Sequence, residues 1–163
     1  EALSRFYMEN FDHLHPWEPK REGDFHSISS WRERLQERKK AYENGLSAHF
    51  ISYDPDSASI IAVCGLTNIA RGPFQAAILG YSIAKSHEGK GHMKQLCAYV
   101  ISFAFKELGL NRVMANYMPK NIRSERLLRS LEFEREGFAR KYLCINGKWE
   151  DHVLTSLINP KNT

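Results

Sequence analysis

The first third of the chain repeats its apolar residues at helical spacing. Leu3, Phe6, Tyr7, Phe11 and Leu14 fall on one helix face, and Ile28, Trp31, Leu35 and Tyr42 on another. Between them, His15-Pro16-Trp17-Glu18-Pro19 reads as a loop, because each proline lacks a backbone donor and disfavours helix in the residue before it. From Ala48 the period changes. Stretches 48–53, 59–69 and 75–83 read as strands separated by turns at Asp54-Pro55-Asp56-Ser57 and Arg71-Gly72-Pro73, which predicts an antiparallel meander. The clearest helix follows: Met93, Leu96, Cys97, Val100, Ile101, Ala104, Phe105 and Leu108 keep one apolar stripe until Gly109 stops it. A strand is expected over 112–117, then a short helix from an Asn121 N-cap to about Leu131. The last segment predicts strands 139–145 and 149–158, joined by Asn146-Gly147, a pair suited to the positive φ angles of a two-residue hairpin turn.

A helix between two neighbouring parallel strands makes a crossover, while the remaining strands are antiparallel. The expected fold class is therefore α/β (α+β): three layers, with a mixed, mostly antiparallel sheet and helices on both faces. Ligands of such sheets sit where strand directions diverge, beside the turn that feeds the crossover helix.

Composition narrows the class. With 163 residues, 42% apolar and 26% charged, the chain reads as one domain over 1–163, able to bury a core without disulfides or a structural metal. Collagen, disorder and coiled coil are excluded. The longest apolar run, 60–66, is far short of the ~20 residues that cross a bilayer, and no charged-then-apolar leader opens the chain, so a soluble, cytoplasmic protein with no membrane partner is expected. Cys64, Cys97 and Cys144 are an odd, scattered set, expected as free buried thiols. The first residue is Glu1 rather than methionine, from which an N-terminal segment ahead of it is expected.

Candidate chemistry gathers in Ser86-His87-Glu88-Gly89-Lys90-Gly91-His92-Met93, which enters the long helix straight after a strand. A Gly-x-Gly there leaves N–H groups bare at a helix N-terminus, where the dipole favours an anion such as pyrophosphate, and Lys90 and Lys94 add formal charge. A plain tight turn is the other reading. The spacing fits neither a Walker loop nor a dinucleotide fingerprint. Net charge of +4 suits an anionic ligand, but no basic stripe with interleaved aromatics marks a nucleic-acid site. His13 and His15 lack matching ligands, so no metal is expected.

The order of elements, with Glu88-Gly89-Lys90-Gly91-His92-Met93 at the place of an acetyl-CoA turn, resembles the GNAT N-acetyltransferase superfamily. Within it, His15-Pro16-Trp17-Glu18-Pro19, Leu79-Gly80-Tyr81-Ser82-Ile83, Met114-Ala115-Asn116-Tyr117-Met118-Pro119 and Gly147-Lys148-Trp149-Glu150-Asp151-His152-Val153-Leu154-Thr155 resemble the RimJ-type ribosomal-protein-alanine N-acetyltransferases. The likeness spans nearly the whole chain. It implies acetyl-CoA as co-substrate, bound by Ser82, Ile83, the Glu88–Lys94 turn and Asn121, and a fold whose first strand, ahead of the first helix, is missing here. It implies direct acetyl transfer in a ternary complex to the N-terminal alanine of a ribosomal protein, with the ribosome as a candidate partner. The sequence departs from the pattern at Glu88 (Gln or Arg elsewhere), Met93 (Gly or Ala) and Glu132 (Gly).

Many members protonate the leaving thiolate with a tyrosine that here is Leu128, so the resemblance points instead to Ser124 aimed at the coenzyme sulfur, with backbone N–H groups around Tyr81 to Ile83 holding the pantetheine arm and polarising the acetyl carbonyl, and with Asn116, like Asn121, a candidate for cofactor contact. For Ser124 the other reading is a first-turn serine bonded to backbone; for Asn121, a plain helix cap. Trp17, Glu18, Tyr142 and Trp149 are candidates to line a peptide cleft or simply to pack. Glu18, Tyr142 and Asp151 are unranked candidates for a general base. An α-amine tolerates a weak base: roughly a tenth of it is neutral at pH 7, against about one in 2,500 for a lysine. The alternatives are acetylation of a small amine, such as a polyamine or aminoglycoside, and a non-catalytic acetyl-CoA-binding module.

Overall fold

The computed structural model describes residues 1–21 and 23–162. Helix α1 (Ala2–Glu9) and the single-turn α2 (Phe11–Leu14) lead through a 3₁₀ turn at His15–Trp17 to α3 (Ile28–Glu43), capped by the Ser27 side chain, which accepts from the Ser30 N–H. Strands β1 (Ala48–Asp54), β2 (Ser59–Ala70) and β3 (Ala76–Ile83) form the expected meander. Then come α4 (His92–Lys106), β4 (Arg112–Met114), α5 (Ile122–Ser130), β5 (Glu134–Ile145) and β6 (Lys148–Ile158). Among the described residues the six strands lie in the order β1-β2-β3-β4-β6-β5, and of the paired neighbours only β3 and β4 run parallel, joined through α4. Asn146 and Gly147 turn the last hairpin at φ 45° and 79°, the left-handed pair that its two-residue loop requires.

Successive strand residues point to opposite faces, and β2 shows the result. Cys64 belongs to a core shared with α4 and α5, whose centre includes Cys97, Val100, Leu110 and Leu128, whereas its neighbour Val63 packs on a second cluster built from Phe6, Tyr7, Phe25 and Trp31. Helices thus cover both faces, as the mixed-sheet reading expects.

Four details differ from the sequence reading. Strand β4 stops at Met114 rather than at Tyr117, although Tyr117 still bridges to Val153 of β6. Strand β5 begins at Glu134, five residues early; it is an edge strand with most side chains exposed, so no apolar alternation marks its start. On α3 only Trp31 is buried, stacked on Tyr7 with ring centroids 5.1 Å apart, while Ile28, Leu35 and Tyr42 are exposed. Cys144 is exposed, lying on that same edge strand; Cys64 and Cys97 are buried as expected.

Candidate active site

Strand β3 outlasts its neighbour. Its pairing with β4 covers only 76–78 against 112–114, yet β3 runs on to Ile83. Past Ile78, its backbone on that edge has no strand partner. The chain after β4 instead follows β6, through the Ala115 N–H to the Thr155 carbonyl (3.0 Å) and the Tyr117 to Val153 bridge. The sheet parts there, and a cleft of about 960 Å³ opens between Leu79–Ile83 on one side and Asn116, Tyr117 and His152 on the other.

One end of the cleft is the glycine turn. Gly89 and Gly91 sit at φ 72° and 83°, left-handed values that L side chains rarely adopt. A Cβ on Gly91 would meet nothing within 4 Å, so conformation rather than space selects glycine there. Gly91 is the N-cap of α4, so the N–H groups of His92, Met93 and Lys94 stand in the first turn, where no i−4 carbonyl is available. Gly89, Gly91, Met93 and Lys94 line the cleft; Lys90 and His92 do not, and the His92 ring instead lies edge-on to His87. Glu88 also lines it, but its carboxylate is neutralised: Oε1 is 2.7 Å from the Arg123 guanidinium and 3.4 Å from His13 Nε2. Glutamate at this position is therefore compatible with the anion site expected at the turn.

Two hydroxyls meet midway. Tyr81 OH and Ser124 Oγ are 2.5 Å apart, across 43 residues of sequence. Burial pushes the Tyr81 phenol above its ordinary pKa, while the Ser124 bond pulls the other way, so the phenol stays protonated at neutral pH. The Ser124 N–H donates to Asn121 Oδ1 at 3.1 Å; Asn121 is thus the helix cap and lines the cleft as well. Leu128, buried at 1% exposure, points into the core and away from the chemistry.

Trp17 and Glu18 form a rim. The Asn146 N–H donates to the Glu18 carbonyl at 3.0 Å and Asn146 Nδ2 lies 2.9 Å from His15 Nε2, so the hairpin tip clamps the proline-flanked loop in place. The Glu18 carboxylate accepts from Ser82 Oγ (3.0 Å) and from Arg21 (3.1 Å). Asn116 Oδ1 accepts from the Thr155 N–H and Asn116 Nδ2 donates to Tyr142 OH, which ties the end of β4 to both hairpin strands. Tyr142 meets the site through that bond and through its ring, which packs on His152, and is not itself in the lining. Trp149, 60% exposed on β6, is not in the lining. Asp151 accepts from the Lys141 N–H at 2.8 Å and serves the hairpin. His152 lines the cleft and was missed by sequence reasoning, as was the place of His13. The available signal was a histidine inside an expected strand, sharing a face with Leu154 and Ser156. Among the described residues, no group of three His, Cys, Asp or Glu comes together to hold a metal, and no helix is long and apolar enough to cross a membrane.

A split in a mixed sheet, with a glycine turn feeding the crossover helix at its end, is the architecture of an acyl-CoA-dependent transferase, and the chain belongs to the acetyltransferase (GNAT) domain family, whose model matches residues 3–134. It is an acetyl-CoA-dependent N-acetyltransferase. The chain is 42% identical over 158 residues to the [ribosomal protein uS5]-alanine N-acetyltransferase of Escherichia coli, covering 97% of this chain and 81% of that protein. The crystal structure of ribosomal-protein-S5-alanine acetyltransferase from Vibrio fischeri matches with a TM-score of 0.94 and 40% identity, over 98% of this chain and 87% of that one. Mycobacterium smegmatis RimJ in complex with CoA-disulfide matches with a TM-score of 0.91 and 26% identity, over 98% and 77%.

Proposed function

We propose that this enzyme acetylates the N-terminal α-amine of an alanine-first ribosomal protein, in the cytoplasm, by direct attack within a ternary complex. The observation that carries the proposal is the 42% identity to the Escherichia coli uS5-alanine enzyme, spread over 97% of the chain rather than confined to the coenzyme turn. In this reading the first-turn amides of α4, with Lys94 beside them, hold the pyrophosphate, and the backbone of Tyr81, Ser82 and Ile83 holds the pantetheine arm on the free edge of β3. The Tyr81–Ser124 hydroxyl pair supplies the proton that the departing thiolate takes up. Glu18 and Trp17 on the rim meet the substrate's N-terminus, where a carboxylate suits an α-ammonium. Asn116 holds the far wall in place.

The chemistry favours α-amines. At pH 7 their neutral fraction exceeds that of lysine by a few hundredfold. Incubation with acetyl-CoA and an Ala-first peptide that also carries an internal lysine, read by mass spectrometry, is expected to show acetate on the α-nitrogen with negligible transfer to the ε-nitrogen. Predominant ε-acetylation, or spermidine outcompeting the peptide, would overturn the substrate while leaving the acetyl-CoA assignment intact.

A further inference from the structure

Acetylation of an ammonium needs a group that takes its proton, and the three base candidates suggested by the sequence are already engaged. The Glu18 carboxylate accepts from both Ser82 and Arg21, Tyr142 OH accepts from Asn116, and Asp151 accepts from the Lys141 backbone. His152 is different. Its side chain sits in the cleft wall on β6, facing the same space as Tyr81 and Ser82 across the parted sheet. The residue is 3% exposed, and its ring packs against Tyr142 with centroids 5.5 Å apart. Its Nδ1 lies 3.0 Å from the Glu150 backbone carbonyl. A carbonyl oxygen only accepts, so Nδ1 must carry the hydrogen, and in the neutral ring Nε2 then holds the lone pair.

We propose that His152 is the general base, its Nε2 taking a proton from the substrate's α-ammonium inside the cleft; the proposal rests on the α-amine reading above. The amine lone pair then forms the N–C bond to the acetyl carbon, and the C–S bond breaks with its electron pair on sulfur. The thiolate takes a proton from the Tyr81–Ser124 pair. That pair regains one from solvent as the nitrogen sheds its second surplus proton, and His152 returns its own to solvent. One ammonium and one thioester thus give one amide, one thiol and one proton. The hydrogen bond to Glu150 sets the ring's tautomer and angle, as a base requires.

The test separates this role from a packing role. His152→Asn keeps a short donor for the Glu150 carbonyl but has no nitrogen in place of Nε2; His152→Gln is the second variant, should the first fold poorly. Both are expected to keep wild-type affinity for CoA by calorimetry and, at pH 6, where about one α-amine in a hundred is neutral, to lower kcat/KM for the Ala-first peptide by up to ~10²-fold. A peptide beginning with an aminooxyacetyl group, whose terminal nitrogen is neutral at pH 7, is expected to lose only several-fold. Equal losses on both peptides, or near-normal activity of a folded variant, would overturn the base assignment. Spermidine run in parallel keeps the two claims apart: wild-type transfer to spermidine but not to the peptide refutes the substrate reading, whereas a mutant loss on the neutral aminooxy nitrogen equal to that on whichever ammonium substrate is accepted refutes His152.

Discussion

Leu128 stands where many relatives place a phenol on the short helix, and its packing explains why it takes no part: it is sealed in the core beneath α5. In the proposed mechanism the phenol comes from β3 instead, where Tyr81 meets Ser124 at 2.5 Å. Two groups sharing one proton path act as a unit. Ser124→Ala is expected to lower kcat by ~10²-fold with little change in KM, and Tyr81→Phe comparably. The double variant should be worse than either single by no more than a few-fold. Steady-state kinetics with a double-mutant cycle checks this; additive losses would mean that the two hydroxyls work separately. Glu132 is a second residue that the conformation explains. It follows α5 at φ 64°, in the left-handed region where a side chain costs about 1 kcal/mol relative to glycine. Glu132→Gly is expected to raise Tm by roughly 2–4 °C for a domain of this size, leaving kcat unchanged. A calorimetric scan that shows no gain would place the strain elsewhere.

Elements were legible to the degree that their pattern was local. The α4 stripe, the two meander turns and the Asn146-Gly147 hairpin all came out where periodicity and turn chemistry put them, because each is decided by residues a few positions apart. The ends of β4 and the start of β5 did not, since those depend on which partner strand is alongside. On α3 the pattern misled: Trp31 alone is buried, and the Arg38 guanidinium lies 5.3 Å from its ring centroid, a charged side chain covering apolar surface. The glycine turn is the element whose function depends most on backbone shape. In Gly91→Val a β-branched residue at φ 83° is strained by ~1–2 kcal/mol, so the turn should rearrange and withdraw its amides from the anion. Affinity for CoA is expected to fall at least tenfold by calorimetry; an unchanged Kd would remove the turn from the binding site.

At the scale of the molecule, the sheet behaves as two halves. A meander with α4 is joined to a hairpin half through the three-residue pairing of β3 with β4. The cleft is what lies beyond that short seam, and every functional group proposed here lies on its walls, at its rim or one hydrogen bond behind them. The His15–Glu18 loop owes its place at the rim to Asn146 at the tip of the far hairpin, across 131 residues of sequence.

The amino-acid sequence by itself determined the order and type of nearly all elements, the crossover that makes one strand pair parallel, the glycine turn at the start of the crossover helix, and the family likeness. Those follow from spacing, turn propensity and helix-end electrostatics, which act over a few residues. Only the tertiary structure decided how far β4 accompanies β3 and so where the sheet opens, which phenol reaches Ser124, what neutralises Glu88, and that His152 faces the cleft with a set tautomer. Each of these joins residues distant in the chain, or turns on which face of a twisted strand meets the gap; packing chooses among such pairings, and no local pattern records the choice.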